Sequence, residues 1–355
     1  MPTMSKEILH RVTAAIFRAA GAPEDLAGQV ADVLVDNHLA GHDSHGILRI
    51  PEYVQSVRQG EIVPAARPRV IEETAVSALV SGNWAFGQVT GLFAADLAAE
   101  KAKRERVAVV SVVQAGHTGR LAAFTERAAR RGVALFMAIG TVSKPTTAPY
   151  GGAAPVLGTN PLSVSLPNPA GDPVTLDFAT SAIAAGKIKL AKARHEQLPP
   201  NAILDSRGRP SVDPQAFFDG GFLLPFAGHK GYALAVIAEL LSGPLAGADA
   251  YPGVTSRSGI FLFAVDAAAF RPAEDYRRAL ERTLGRIKAV PPAAGFTEVL
   301  IPGEPEARSR ARRERDGIPI PEDTWRAVCA AGATLGVDAE ALAAPAAHSI
   351  REGEG

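Results

Sequence analysis

The residues best equipped for chemistry crowd near one end of the chain: His38, His42, Asp43, Ser44 and His45, followed by Arg49. Such a crowd is either a solvated helix end or a working group. His38 and His42 stand i,i+4, a spacing that puts two imidazoles on one helical face and opens a metal-dependent hydrolase or lyase reading on His38, His42 and His45. Gly41 and the turn-forming Asp43-Ser44 argue the other way, because they end the helix there. Acid–base chemistry asks for less. An imidazole titrates near pH 6.5, so His45 can exchange a proton close to neutrality while Ser44 fixes its tautomer. Arg49 offers a planar fork for a carboxylate, and it shares a side with His45 if 45–49 form a helical turn, although Pro51 argues against one continuous helix. The bland role for Arg49 is to neutralise Glu52.

Two glycine turns offer anion sites. In the first, the apolar run Val107–Val113 leads into Gly116-His117-Thr118-Gly119-Arg120 and then a helical stretch from Leu121. Backbone amides at such a helix start favour negative charge; an ordinary strand–helix connection needs the same glycines. The second is Gly228-His229-Lys230-Gly231-Tyr232, which runs into another helical stretch. Neither the G-x-G-x-x-G fingerprint nor the G-x-x-x-x-G-K-[ST] loop occurs, so a nicotinamide cofactor would bind outside a Rossmann frame.

The elements that must hold these groups follow from periodicity. Ser5 precedes an apolar helical pattern through Ile8, Val12, Ile16 and Ala19 that closes at Gly21, and Pro23-Glu24-Asp25 opens another through Leu34. Beyond Gly60 come β-rich runs: Val76–Val80, Val107–Val113, Val133–Ile139, Leu162–Leu166, Val174–Phe178 and Ile260–Val265. Asp205–Pro225 reads as a long surface loop. Helical patterns return at Tyr276–Val290, Glu304–Arg315 and Glu322–Gly336. The expected fold is α/β (α+β), with a helical domain from 1–70 and 291–340, a mixed α/β cofactor domain at 71–290, and a frayed tail at 341–355.

Composition narrows the function. With 355 residues there is room for two domains, and 47% hydrophobic against 21% charged residues suits a globular protein. Lys+Arg and Asp+Glu both total 37, leaving no basic excess for nucleic acid. The single cysteine, Cys329, reads as a small apolar residue in an amphipathic helix and suits a reducing compartment. No run nears the roughly 20 apolar residues of a membrane span, and the first residues form no signal-peptide core. A cytoplasmic protein without membrane or nucleic-acid partners is expected.

Further motifs join these pieces: Ala-Pro-Tyr-Gly-Gly at 148–152, Gly-Thr-Asn-Pro at 158–161, Asp-Phe-Ala-Thr-Ser at 177–181, Gly-Lys at 186–187 and Pro-Gly-Glu-Pro-Glu at 302–306. With His-Asp-Ser-His-Gly-x-x-Arg at 42–49 and Gly-His-Lys-Gly-Tyr at 228–232, they stand in the order of the malate/L-lactate dehydrogenase family of non-Rossmann oxidoreductases, which the chain resembles from about residue 5 to 335. The resemblance implies a homodimeric NAD- or NADP-dependent oxidoreductase of 2-oxo and 2-hydroxy acids. Reduction of a cyclic imino acid is the nearest alternative. By resemblance, His45, Ser44 and Asp205 are catalytic, and Arg49 and Thr159 bind substrate. The cofactor contacts fall on His117, Thr118, Gly119, Arg120, Leu121, Asp177, Phe178, Ala179, His229, Lys230, Gly303, Glu304 and Glu306. No metal is implied. The chain departs from the common pattern at His117–Leu121, which matches the H-x-G-R-L variant of hydroxycarboxylate dehydrogenases, and at Pro200–Asp205, which lacks a Trp before the aspartate.

Overall fold

The computed structural model describes residues 3–141, 145–193, 195–248 and 258–344. Helix α1 (Lys6–Ala19) starts where expected, with the Ser5 hydroxyl accepting the Ile8 amide at 3.3 Å. Gly21, at φ +98°, turns the chain into α2 (Glu24–Leu39), whose first turn carries Glu24 and Asp25 against the helix dipole. Strand β1 (Thr3–Met4) pairs antiparallel with the late strand Ile318–Pro319, joining the two ends of the described chain. Helix α3 (Ile50–Arg58) has Pro51 in its first turn, where the missing amide proton costs nothing, so Pro51 starts a helix rather than breaking one.

A mixed seven-stranded sheet follows. Its strands are β2 (Arg69–Glu73), β3 (Ser77–Ser81), β4 (Val107–Ala115), β5 (Val133–Thr141), β6 (Leu162–Leu166), β7 (Val174–Phe178) and a later strand, Ser258–Asp266. The late strand lies between β4 and β5, antiparallel to both. Only β3 and β4 run parallel, and α4 (Gly87–Glu105) makes the crossover that this requires. Helix α5 (Ala122–Arg130) lies beside α4 over the same face, burying Val110, Val112, Leu135, Met137, Ile260 and Leu262. Alternate residues of β5, Phe136 and Ala138, face the other way.

The segment expected as a bare loop is partly built. After α6 (Ala185–Ala193) come β8 (Ile203–Leu204), β9 (Pro210–Ser211), α7 (Pro214–Phe218) and β10 (Phe222–Leu223), with the strands in the order β10-β8-β9. The correction has a local cause. Asp213 caps α7, and Leu223 and Phe217 pack with Ile188, Leu198 and Ile203 in a core of their own, which the density of Gly and Pro conceals. Helix α8 (His229–Ser242) packs on β5 from the face that Ala138 occupies. The strand Ser258–Asp266 is β11, and α9 (Ala273–Lys288) follows it.

Helix α10 (Glu304–Asp316), β12 (Ile318–Pro319), α11 (Glu322–Ala333) and α12 (Ala339–Ala343) complete the described chain. One core gathers Leu9, Ile16, Phe17, Leu34 and Tyr53 with Ile318, Ile320 and Val328, and Cys329 packs against it. On this shared core we propose the division into 1–70 with 291–340 and 71–290. Helix continues to Ala343, inside the stretch expected to fray, and residues 345–355 lie outside the described ones.

Gly87 seats the start of α4 against the turn that leaves β4. A Cβ there would lie 2.2 Å from the His117 carbonyl oxygen, so α4 starts in backbone contact with the His117 turn. Alanine normally gains up to about 1 kcal/mol in a helix, but this contact reverses the sign. Gly87→Ala should cost about 1–3 kcal/mol in urea unfolding. An unchanged or raised midpoint would contradict the close approach.

Candidate active site

The His42–Arg49 segment folds as two single 3-10 turns, Asp43–His45 and Ile47–Arg49, separated by Gly46. A Cβ on Gly46 would sit 2.2 Å from the His38 ring, so only glycine lets the segment cross over that buried imidazole. Asn37, fully buried in α2, donates to the His45 carbonyl at 2.9 Å. Helix α10 grips the same segment from the other end of the chain. Arg313 donates to Asp43 and to the His38 carbonyl, and Glu306 accepts from His42 at 3.2 Å.

The three imidazoles therefore part company. His38 Nδ1 meets Asp43 at 3.0 Å, His42 Nε2 meets Glu306, and His45 Nδ1 meets the Ser44 hydroxyl at 3.0 Å. Among the described residues no group of three or more His, Cys, Asp or Glu side chains is placed to hold a metal ion. Asp43 lies well below the usual carboxylate range: burial pushes it up, but its bonds to His38 and Arg313 outweigh that. The bond to His42 likewise lowers Glu306 against a smaller cost of burial.

His45 and Arg49 come together as the spacing suggested. Arg49 Nε donates to the Ser44 carbonyl at 2.9 Å and Nη1 to Glu52 at 2.6 Å, while Nη2 has no hydrogen-bond partner among the described residues. The pairing with Glu52 is real, but Glu52 is half exposed and the guanidinium keeps one free edge. Burial, then the charges of Arg49, His42 and Arg120, push the His45 imidazole down to about 4. It is uncharged at neutral pH. The His117 ring stacks on it, with centroids 6.0 Å apart and planes 17° apart, and its Nδ1 lies 2.7 Å from the Tyr53 hydroxyl. His117 keeps some open surface, yet the protein around it and the charge of Arg49 also lower its proton affinity.

The 117–121 turn is already occupied at its helix start. Asp177 Oδ2, at the end of β7, accepts the Ala122 amide at 2.7 Å, so the anion at the beginning of α5 is a side chain of the chain itself. Burial raises Asp177 to about 6 against the opposing pull of Arg120. Arg120 is itself buried, bonding Glu126 at 2.5 Å and lying 3.5 Å from Asp36; Arg310 of α10 pairs with both carboxylates. Thr118 and Leu121 are buried, and Gly119, at φ +89°, passes against the His45 backbone.

The remaining candidates form a second group. The Thr159 carbonyl accepts both the amide and the hydroxyl of Thr180, and the Thr180 carbonyl accepts the Phe226 amide, so the Gly-Thr-Asn-Pro turn, the end of β7 and the start of α8 are strung together. Phe178 packs edge-on to Phe226 at 5.3 Å, with Ala179 next to it in the chain. Gly228, at φ +62°, opens α8 with no side-chain cap, and exposed His229 meets Tyr150 at 6.1 Å. Lys230 is exposed, with no hydrogen bond or ion pair among the described residues. Gly303, at φ +98°, would bring a Cβ 3.1 Å from the Pro173 carbonyl; Glu304 accepts the Ile301 amide and Lys288. Asp205 stands apart. Its carboxylate accepts the Arg207 and Arg209 amides and the Arg209 side chain within the β8–β9 hairpin, and no bond ties it to His45.

Sequence reasoning missed Asn37, Tyr53, Gln88, Arg310 and Arg313. Tyr53 alone left a trace, standing four residues beyond Arg49. The family model of malate/L-lactate dehydrogenase matches residues 4–329. The chain belongs to the malate/L-lactate dehydrogenase family. Within this family it is 35% identical to hydroxycarboxylate dehydrogenase B of Escherichia coli K12, over 95% of this chain and 96% of that protein. Sulfolactate dehydrogenase from Methanocaldococcus jannaschii superposes with a TM-score of 0.87 at 32% identity, covering 96% and 99% of the two chains. Δ1-Piperideine-2-carboxylate reductase from Pseudomonas syringae superposes with a TM-score of 0.80 at 28% identity, covering 93% and 100%.

Proposed function

We propose that His45 and Arg49 carry, in this chain, the reaction of its family: hydride transfer between NAD(P)H and C2 of a 2-oxo acid, and its reverse. The observation behind the assignment is an uncharged, half-buried imidazole next to a guanidinium whose Nη2 has no partner among the described residues. When bound, the nicotinamide gives or takes the hydride. The chain handles the proton and the carboxylate. In oxidation, neutral His45 accepts the proton of the C2 hydroxyl; in reduction it returns a proton to the C2 oxygen. Arg49 aligns the substrate carboxylate so that C2 and its oxygen meet their partners. A carboxylate docked on Arg49 also offsets one of the charges that weaken His45 as a proton holder, so substrate binding strengthens the imidazole's hold on the proton it must deliver.

The start of α8 suits an anionic cofactor: a helix N-terminus led by glycine with no side-chain cap, and beside it Lys230, which has no hydrogen bond or ion pair among the described residues. Lys230 and His229 would hold a phosphate there. His117–Leu121, Asp177–Ala179, and Gly303, Glu304 and Glu306 complete the proposed cofactor contacts, and Thr159 joins Arg49 at the substrate. Asp205, whose carboxylate is held in the β8–β9 hairpin, is the third catalytic candidate beside His45 and Ser44. Cyclic imino acids form the second substrate class, favoured by the likeness to the piperideine-carboxylate reductase, since a C2=N bond next to a carboxylate asks for the same donor and clamp.

A screen of 2-oxo and cyclic imino acids with NADH and NADPH tests this reading. His45→Gln should keep cofactor affinity while turnover falls about 10²–10⁴-fold. Arg49→Lys, which keeps the charge but loses the fork, should lose catalytic efficiency with cofactor affinity and thermal stability near wild type. Near-normal turnover in His45→Gln would remove His45 as the proton-transfer group, and retained efficiency in Arg49→Lys would remove Arg49 as the carboxylate clamp.

We further propose a homodimer acting in the cytoplasm. No helix among the described residues is long and apolar enough to cross a membrane. Helix α8 exposes Leu234, Ile237 and Leu240 at i,i+3,i+6, a stripe that suits a subunit interface. Light scattering should give twice the chain mass for wild type and a shift towards monomer for Ile237→Glu. A fully active wild-type monomer at micromolar concentration would contradict the dimer.

A further inference from the structure

His117, itself exposed, is one partner in a relay whose other two side chains, Tyr53 and Gln88, are buried. Gln88, fully buried at the start of α4, has one nitrogen and two hydrogens to place. It donates to the Tyr53 hydroxyl oxygen at 2.9 Å and to the Thr118 carbonyl at 3.1 Å. The carbonyl fixes which way round the amide sits, because an amide oxygen in that place would face another oxygen. Tyr53, only 2% exposed, therefore receives a hydrogen from Gln88 and must send its own elsewhere. The acceptor is His117 Nδ1, 2.7 Å away. A nitrogen that accepts carries no proton, so the neutral ring keeps its hydrogen on Nε2. With Nδ1 pinned towards the interior, Nε2 is on the opposite edge of a ring that retains open surface and lies nearly parallel to His45. Nε2 has no hydrogen-bond partner among the described residues.

We infer that Tyr53 and Gln88 are positioning residues that lock His117 as its Nε2–H tautomer, giving the site a fixed hydrogen-bond donor to an oxygen of the bound 2-oxo acid beside His45. This rests on the reading of His45 and Arg49 as the groups that meet the substrate, and it turns the His117 ring towards substrate while its backbone stays in the proposed cofactor turn. The two histidines then differ in kind. His45 leans on the hydroxyl of Ser44, a residue only partly buried; His117 is held by a chain of buried donors that ends in a backbone carbonyl. One ring can take and release a proton, whereas the other can only donate a hydrogen bond.

The test reads the tautomer and the kinetics separately. In enzyme labelled with ¹⁵N-histidine at neutral pH, the His117 signals, assigned by their loss in His117→Gln, should show Nε2 protonated and Nδ1 bare. Tyr53→Phe should populate both tautomers. It should also lower kcat for 2-oxo acid reduction on the order of tenfold, with NADH and NADPH dissociation constants within about twofold of wild type. In a His117→Gln background, whose amide needs no tautomer lock, Tyr53→Phe should change kcat by less than about twofold. Equal losses in both backgrounds would make Tyr53 a packing residue and overturn the proposal. So would a wild-type ring protonated on Nδ1, an unchanged kcat in Tyr53→Phe, or a loss that falls on cofactor affinity. If the spectra behave as stated but wild type turns over no 2-oxo acid, the lock stands and the substrate reading falls.

Discussion

An imidazole that must stay uncharged beside a guanidinium sets the terms for this site. A protonated His45 would place two cations side by side in a poorly hydrated pocket, and both burial and the Arg49 charge resist it. The free site is thereby poised as a base. In the proposed reaction it becomes an acid only when a ligand anion answers Arg49, which ties the proton's arrival to the substrate's. The surrounding structure holds the segment that carries both side chains. Asn37 holds the His45 backbone, the Ser44 carbonyl holds Arg49 Nε, and Gly46 lets the whole turn lie flat on His38.

That turn is clamped by charge as much as by packing. Arg310 and Arg313 reach from α10 to Asp36 and Asp43, and Arg120 and Glu126 extend the network towards the sheet. Of these pairs Arg120–Glu126 is buried; such a pair contributes little net stability, because desolvation offsets the attraction, but breaking one partner leaves an uncompensated charge and costs about 3–5 kcal/mol. Their effect is to fix register. A segment from one end of the chain is held against a helix from the other, and both against the start of α5, where Asp177 occupies the free amide.

Much of this was legible in the residue pattern, and the gaps have physical causes. Helices α1 and α2 announce themselves by Ser5, Pro23 and the glycines that end them, since local capping needs no knowledge of the rest of the fold. Strands β4 and β5 show as apolar runs because both sides of the sheet centre are covered, whereas β6 and the edge strand β7 show by apolar residues alternating with polar ones. Strand β2, with Arg69, Glu72 and Glu73, is a charged edge and was invisible; the insertion of β11 between β4 and β5 depends on pairings more than a hundred residues apart. Around the site, the crowding of polar side chains at 42–49 was readable because such a density is costly unless it is used. The arginines of α10 were not, since a helix so rich in charge reads as a solvated surface until its partners are placed. Gln88 carries no sequence signal, because its role exists only where α4 meets the His117 turn.

His45 is neutral in the free enzyme because burial and Arg49 hold it so. The most direct measurement is an NMR titration of His45 in the free wild-type protein labelled with ¹³C at histidine Cε1, with the resonance assigned by its loss in His45→Gln. The predicted midpoint is about 4, with the ring uncharged throughout the neutral range. A midpoint at the ordinary value of 6.5 would contradict it, and with it the coupling of the proton to the arrival of the substrate carboxylate.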